Sequence, residues 1–339
     1  MARSGLIDVL GRRVHYIDHL APTWHALPAE ARGSFLVPAG PEGKVAAAHA
    51  RALGITADIL PNTKTDRLTI VAAVIDHGDA VSRGRPIAYL NHGVGQAWRD
   101  KHGRLIPSGV GKPKRDVRAF LAPGPFAARI TREVHPNATV HEVGSPKLDG
   151  WLAHRPRAGP PVIVVSTHWD HALTPESRSA FPHYLPAIIA LAKRQDVLVM
   201  GHAHPRAANS VRPRLATAGI PFVTTFDQVL EQASVYITDS SSTLFEFAAT
   251  GRPVVVLNAP AYRREHHHGL RFWEATNVGV NVDHPSELQA AVLEALEDAP
   301  ERQAARAAAL AIAYAPLDGR ATERAVTALL ETLEEQEAA

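Results

Sequence analysis

The chain has 339 residues, 36 lysines and arginines against 34 aspartates and glutamates, and no cysteine. That length accommodates two ordinary domains, each with its own core, and a formal net charge of +2 announces no nucleic-acid or membrane partner for the molecule as a whole. Disulfides, thiolate catalysis and cysteine-ligated zinc are excluded. The N-terminus carries no long apolar run or small-residue cleavage site, and no segment approaches the roughly 20 apolar residues that span a bilayer. A cytoplasmic protein is therefore expected, either free or peripheral at a membrane surface. The triplet His266, His267, His268 does not point at one centre without a contorted backbone, so neither a metal nor a cofactor is expected.

In chain order, a helix is expected around Pro28 to Ala31, followed by a short strand from Ser34 to Pro38 and an alanine-rich helix from Lys44 to Leu53. A strand from Pro86 to Leu90 ends in the turn NHGVG, and another short strand covers Thr139 to Val143. The proline and glycine content of Arg155 to Pro161 reads as a linker. It divides the chain into a first Rossmann-like domain, 1–155, and a second with a helical tail, 156–339. Beyond it come strand Val162 to Ser166, helix Tyr184 to Arg194, strands Val197 to Met200 and Pro221 to Thr224, and a helical tail from Pro285.

The most informative run is Val235 to Pro260, VYITDSSSTLFEFAATGRPVVVLNAP. A β-branched strand, the hydroxyl-rich turn Asp239 to Thr243, an apolar-faced helix stopped by Gly251 and a second, wholly apolar strand make a βαβ unit. Hydroxyls gathered where a helix begins suit a phosphate, and equally suit an ordinary serine cap. Alternating strands and helices throughout predict an α/β protein of two Rossmann-like domains facing across a cleft, with ligands at the carboxyl ends of the strands.

Three further turns fall at such ends. His92 and Gly93 follow the strand that ends at Leu90; an imidazole there accepts a proton from an attacking hydroxyl or merely caps the strand. In MGHAHP, Met200 to Pro205, His202 or His204 donates to a phosphate oxygen or holds the loop. In STHWDH, Ser166 to His171, the polar groups of Thr167, His168 and Asp170 face the expected cleft, while Trp169 packs or meets a base. Tyr262 to His268 forms another expected cleft loop, with Arg263, Arg264 or His267 available to a phosphate. The basic stretch Arg99 to Arg118, which begins close to His92, reads as a solvated loop or as a landing for an anionic acceptor; a nucleic acid stays open as a partner.

ITDSSSTLFEFA resembles the ITDYSS-type motif of the CDP-glycerol glycerophosphotransferases, the teichoic-acid polymerase and primase group. GHAHP at 201–205, STHWD at 166–170, VGSPKLD at 143–149 and LDGRATER at 317–324 are similar to that family's other motifs, in the same order. The turn at His92 departs from its Trp-His-Gly-Thr-Pro type, and Ser240, Glu246 and Asp170 stand where tyrosine, aspartate and arginine are common. The resemblance implies a GT-B fold, a cell-envelope role and metal-independent transfer of glycerol phosphate from CDP-glycerol to an acceptor hydroxyl on an anionic or lipid-linked polymer. Carried over residue by residue, it makes His92 the general base, and His204, Ser241, Ser242 and Asp239 the donor-phosphate site. Asp318, Gly319 and Arg324 match its late motif, in a last helix that such folds send back to the first domain. Two alternatives stand beside it: a GT-B glycosyltransferase using a nucleotide sugar, and a non-catalytic nucleotide- or polyanion-binding protein.

Overall fold

The computed structural model describes residues 7–94, 98–102, 105–106, 114–154, 159–263 and 278–338. Its residues form two compact units, one of Met1–Gly95, Pro107–Gly150 and Ala311–Ala339, the other of Gln96–Ile106 and Trp151–Leu310.

In the first unit, β1 (Ile7–Leu10), α1 (Val14–Ala26), β2 (Arg32–Val37), α2 (Pro41–Ala52), β3 (Ala57–Ile59), β4 (Leu68–Val71), α3 (Val74–Ser82) and β5 (Ile87–Leu90) follow one another. Trp98–Arg99 and Leu105–Ile106 form a short antiparallel pair, β6 and β7, assigned to the second unit. The first unit resumes with β8 (Val117–Ala122), α4 (Pro125–Val134) and β9 (Thr139–Glu142). Its seven strands lie in the order β3-β2-β1-β4-β5-β8-β9 and pair in parallel throughout. Alternation along the strands divides the core. Ile7, Val9, Ile70, Ala88 and Leu121 pack with α1 and α2 on one face, and Leu10, Val71, Ile87, Tyr89 and Phe120 form the core of the other. Sheets covered on both faces have such wholly buried strands.

The second unit contains β10 (Val162–Thr167), α5 (Phe181–Leu191), β11 (Leu198–Ala203), α6 (Pro205–Thr217), α7 (Phe226–Gln232), β12 (Val235–Thr238), α8 (Thr243–Ala248), β13 (Val254–Leu257), β14 (Val280–Val282) and α9 (Leu288–Glu297). Its parallel sheet runs β11-β10-β12-β13-β14. The order reverses between β1 and β4 in one sheet and between β10 and β12 in the other, so each unit has a switch point where ligands of open α/β sheets bind.

Helix α10 (Pro300–Ala313) leads to α11 (Ala321–Ala338). The division at 155 assigned the whole tail to the second domain, but α11 lies in the first unit. Ala325, Ala328, Leu329 and Leu333 join the same core as Ile17, Leu20 and Trp24 of α1. An amphipathic helix docks wherever an apolar face awaits it, and nothing in its own pattern names that face.

Several expected elements shift. Pro28 to Ala31 is a turn; the helix before β2 is α1, thirteen residues ending at Ala26. The expected strand Pro221 to Thr224 is reduced to one bridge between Gly201 and Phe222. Strand β11 runs to Ala203, beyond the expected end at Met200, which places His202 inside the sheet. The linker residues 155–158, Gly95, Arg104, Lys112, Arg264 and His266–His268 lie outside the described residues.

Candidate active site

In the first unit the parallel register sets Val71 beside Tyr89, so the residues following β4 and β5 are neighbours. There His92 donates its Nδ1–H to the carbonyl of Ala72. A carbonyl only accepts, so in the neutral ring Nε2 holds the lone pair and is the basic nitrogen. Gly93, buried, has φ 74°, a conformation that favours glycine and turns the chain directly after the histidine. Around His92 stand Tyr16, with ring centroids 4.7 Å apart, His19 at 6.2 Å and His15 at 6.3 Å. Sequence reasoning missed all three because it missed α1; two histidines four residues apart on one helix face were the available signal. Beside them the turn after β1 carries Arg12, which bonds Asp76 at 2.9 Å and Glu42 at 3.1 Å and pairs with Asp79. Burial pushes the Asp76 carboxyl up to about 6, against the opposing pull of Arg12.

In the second unit the switch point gathers the ends of β10, β11 and β12. Helix α6 begins at Pro205 with His204 as its cap, and the His204 Nδ1 accepts the Arg206 backbone N–H at 3.1 Å. An amide only donates, so the neutral ring carries its proton on Nε2 and is a donor there. His168 lies 5.0 Å from His204, ring to ring, and the Arg206 guanidinium sits 4.8 Å over Trp169. Arg206 escaped the sequence reading, although its place in the first turn of a helix opened by proline was visible. Trp169 packs against the unit's core.

The hydroxyl turn is more specific than its composition. Ser241 Oγ accepts both the Thr243 backbone N–H, at 3.4 Å, and the Thr243 hydroxyl, at 2.8 Å. Two acceptor positions are thereby filled, and what remains to Ser241 is its own O–H as a donor. Ser240 Oγ and Thr167 Oγ1 are buried and have no hydrogen-bond partner among the described residues. Buried hydroxyls left unsatisfied at a strand end are the kind a bound ligand satisfies. Helix α8 has only six residues, and its cap, Ser242, makes no side-chain capping bond.

Other candidates have different work. Asp239 accepts the backbone N–H of His168 at 2.7 Å and of Ala180 at 3.2 Å. Through these two bonds Asp239 clamps the loop after β10 and the start of α5. His202 is buried and bonds Ser166 Oγ through Nδ1 at 2.7 Å, beneath the turn rather than at its surface. Asp170 is held bidentately by Arg178, with both bonds 2.6 Å, which keeps its carboxyl below the usual range. Arg263 is bound by the buried carboxylate of Glu176 at 2.7 and 2.9 Å, so its guanidinium neutralises that charge first.

Asp318, Gly319 and Arg324 form a clasp in the first unit. Arg324 bonds both Asp318 oxygens, at 2.8 and 3.0 Å, and the Val143 carbonyl at 2.9 Å; the arginine lowers the Asp318 pKa. Gly319, with φ 76°, makes the turn into α11, whose first N–H groups, from Ala321 and Thr322, are received by Asp149 at 3.1 and 2.7 Å. The two motifs at 143–149 and 317–324 thus meet each other. Of the basic stretch, Lys114 is buried over the Tyr89 ring at 4.7 Å, and Arg118 stands at the start of β8, at the sheet end opposite His92. Among the described residues no group of three or more histidines and carboxylates is arranged to hold a metal ion, and no helix is long and apolar enough to cross a membrane.

Solved structures share this architecture along nearly the whole chain. S. aureus MnaA in a co-structure with UDP aligns with TM-score 0.66 and 16% identity over 98% of this chain and 97% of that one. A variant of the wall teichoic acid polymerase TagF aligns with TM-score 0.64 and 11% identity over 98% and 90%. The Methanocaldococcus jannaschii UDP-GlcNAc 2-epimerase in complex with UDP-GlcNAc and UDP aligns with TM-score 0.63 and 15% identity over 96% and 99%. At such identities the likeness is one of fold, the GT-B type with two Rossmann-like units. No curated protein sequence matches the chain. Residues 110–331, most of its length, match the CDP-Glycerol:Poly(glycerophosphate) glycerophosphotransferase family, including the hydroxyl turn, the His204 cap and the α11 clasp; the chain belongs to that family of transferases.

Proposed function

We propose that this protein transfers glycerol phosphate from CDP-glycerol to an acceptor hydroxyl on an anionic or lipid-linked polymer, acting at a membrane surface or in the cytoplasm. The observation that carries the reading is the hydroxyl turn after β12, within the family match, where Ser241 Oγ accepts twice from Thr243 and keeps its own O–H as a donor. In the proposed reaction Nε2 of His92 takes the acceptor's proton, and the oxygen attacks the β-phosphorus. The bond to the bridging oxygen breaks and CMP leaves with the electron pair. Ser241, Ser242 and the His204 Nε2–H meet the charge on the departing phosphate. A TagF variant soaked with CDPG supports that donor.

The test is a calorimetric titration with CDP-glycerol, CDP, UDP and a UDP-sugar, followed by product analysis with a polyol-phosphate acceptor. Preferential cytidine binding and CMP release are expected. Preference for uridine compounds with release of UDP would move the protein to the glycosyltransferases, and no binding at all would return it to a non-catalytic role.

A further inference from the structure

The donor-phosphate reading leaves one buried group without a task. Tyr236 is fully buried in β12, its ring stacked on Phe247 at 5.1 Å and set against Phe226 at 5.9 Å. Those apolar contacts need no hydroxyl, and a buried phenol must be satisfied. It lies 2.8 Å from Thr243 Oγ1. Thr243 has a single hydroxyl proton, and that proton is committed to Ser241 Oγ. Tyr236 must therefore donate to Thr243, and the direction of the chain is fixed as Tyr236 to Thr243 to Ser241. The phenol keeps its proton, because burial pushes its pKa up to about 12 although the Ser166, Thr243 and Thr238 hydroxyls oppose that shift.

Thr243 thus receives a hydrogen bond from Tyr236 and passes its own proton to Ser241, and a hydroxyl that accepts in this way is polarised as a better donor than it would be alone. At the end of the chain Ser241, filled as an acceptor, has only donation left. We infer that Tyr236 and Thr243 are positioning residues that orient and polarise the Ser241 hydroxyl toward a nucleotide diphosphate oxygen. The inference rests on the proposed role of Ser241 in holding the donor phosphates. It also explains why hydroxyls at 241 and 243 are arranged one on the other instead of each facing outward.

The experiment is a double-mutant cycle read as CDP affinity by calorimetry on the intact chain. Ser241→Ala is expected to weaken CDP binding by about tenfold or more, the loss of one hydrogen bond to a charged group. Tyr236→Phe, which keeps the ring packing, and Thr243→Val are each expected to cost roughly three- to tenfold, whereas Thr243→Ser, which keeps the hydroxyl, binds as the unaltered protein does. In the Ser241→Ala background Tyr236→Phe costs nothing further, because its effect passes through Ser241. A merely structural tyrosine would give additive losses, and additivity overturns the inference. If Ser241→Ala weakens CDP binding while Tyr236→Phe and Thr243→Val do not, the relay is wrong and the phosphate site stands. If the unaltered protein does not bind CDP, or Ser241→Ala binds it equally well, the phosphate reading itself fails and takes the relay with it.

Discussion

At the scale of single residues, backbone partners set the tautomers of the two candidate histidines. The Ala72 carbonyl and the Arg206 amide select opposite tautomers of His92 and His204, so the two rings are not interchangeable. His92→Ala is expected to lower turnover by about 10² to 10⁴ while leaving the CDP dissociation constant unchanged; retention of most activity would remove the base assignment. His204→Asn keeps an acceptor at the start of α6 and loses the Nε2–H. It is expected to bind CDP more weakly with an unaltered unfolding midpoint, whereas a purely capping histidine would show neither loss when replaced by asparagine. Asp76 gives a pH test. Its folded pKa, about 6, lies above its unfolded value, so the folded state binds more protons and stability falls as pH rises from about 4 to about 6, then levels. Asp76→Asn removes that fall. Relative to the unaltered protein the variant should gain about 3 kcal/mol across the window in urea unfolding at a series of pH values; a constant difference would refute the assignment.

At the scale of elements, the start of α11 is fixed by a residue far away in sequence. Asp149 receives the Ala321 and Thr322 amides, and Arg324 reaches the Val143 carbonyl, so a short segment after β9 and the helix start hold each other. Gly144, with φ 88°, has no room for a side chain: a Cβ there would lie 2.9 Å from the Cβ of Ala321. Asp149→Ala is expected to cost about 1–2 kcal/mol in equilibrium unfolding, the usual worth of a lost cap, and turnover per folded molecule should hold. Loss of activity without loss of stability would return this motif to the chemistry. The hydroxyl turn is the opposite case, since its bonds run between residues two to seven apart, Ser241, Thr243 and Tyr236.

At the scale of the whole molecule, the first unit is discontinuous in sequence. Residues 311–339 complete a core that the first 150 residues begin. Burying a single leucine contributes about 2 kcal/mol, and Leu329 and Leu333 are both in that core. A chain ending after Leu310 should therefore show a first unit cleaved rapidly in limited proteolysis, while fragments from the second unit persist. Equal resistance of both units would show that α11 is dispensable to the first core.

The sequence by itself determined the α/β class, the parallel strands and the family. Continuous apolar strands and the ordered motifs are local patterns, written in residues such as Val254 to Leu257 and Ile237 to Ser242. It also marked His92, His204 and Ser241, because strand-end turns with polar or glycine-rich composition are readable one segment at a time. It did not reveal that β11 continues to Ala203 and buries His202 against Ser166, or that Asp239 is turned to backbone amides of another loop. Nor did it show that the motif around Asp318 is a clasp for a helix returning to the first unit. Those outcomes depend on partners 36 to 181 residues distant, and a hydrogen bond to a distant amide leaves no periodicity in either segment. Tertiary structure alone decided which of these polar groups the fold itself engages through distant partners.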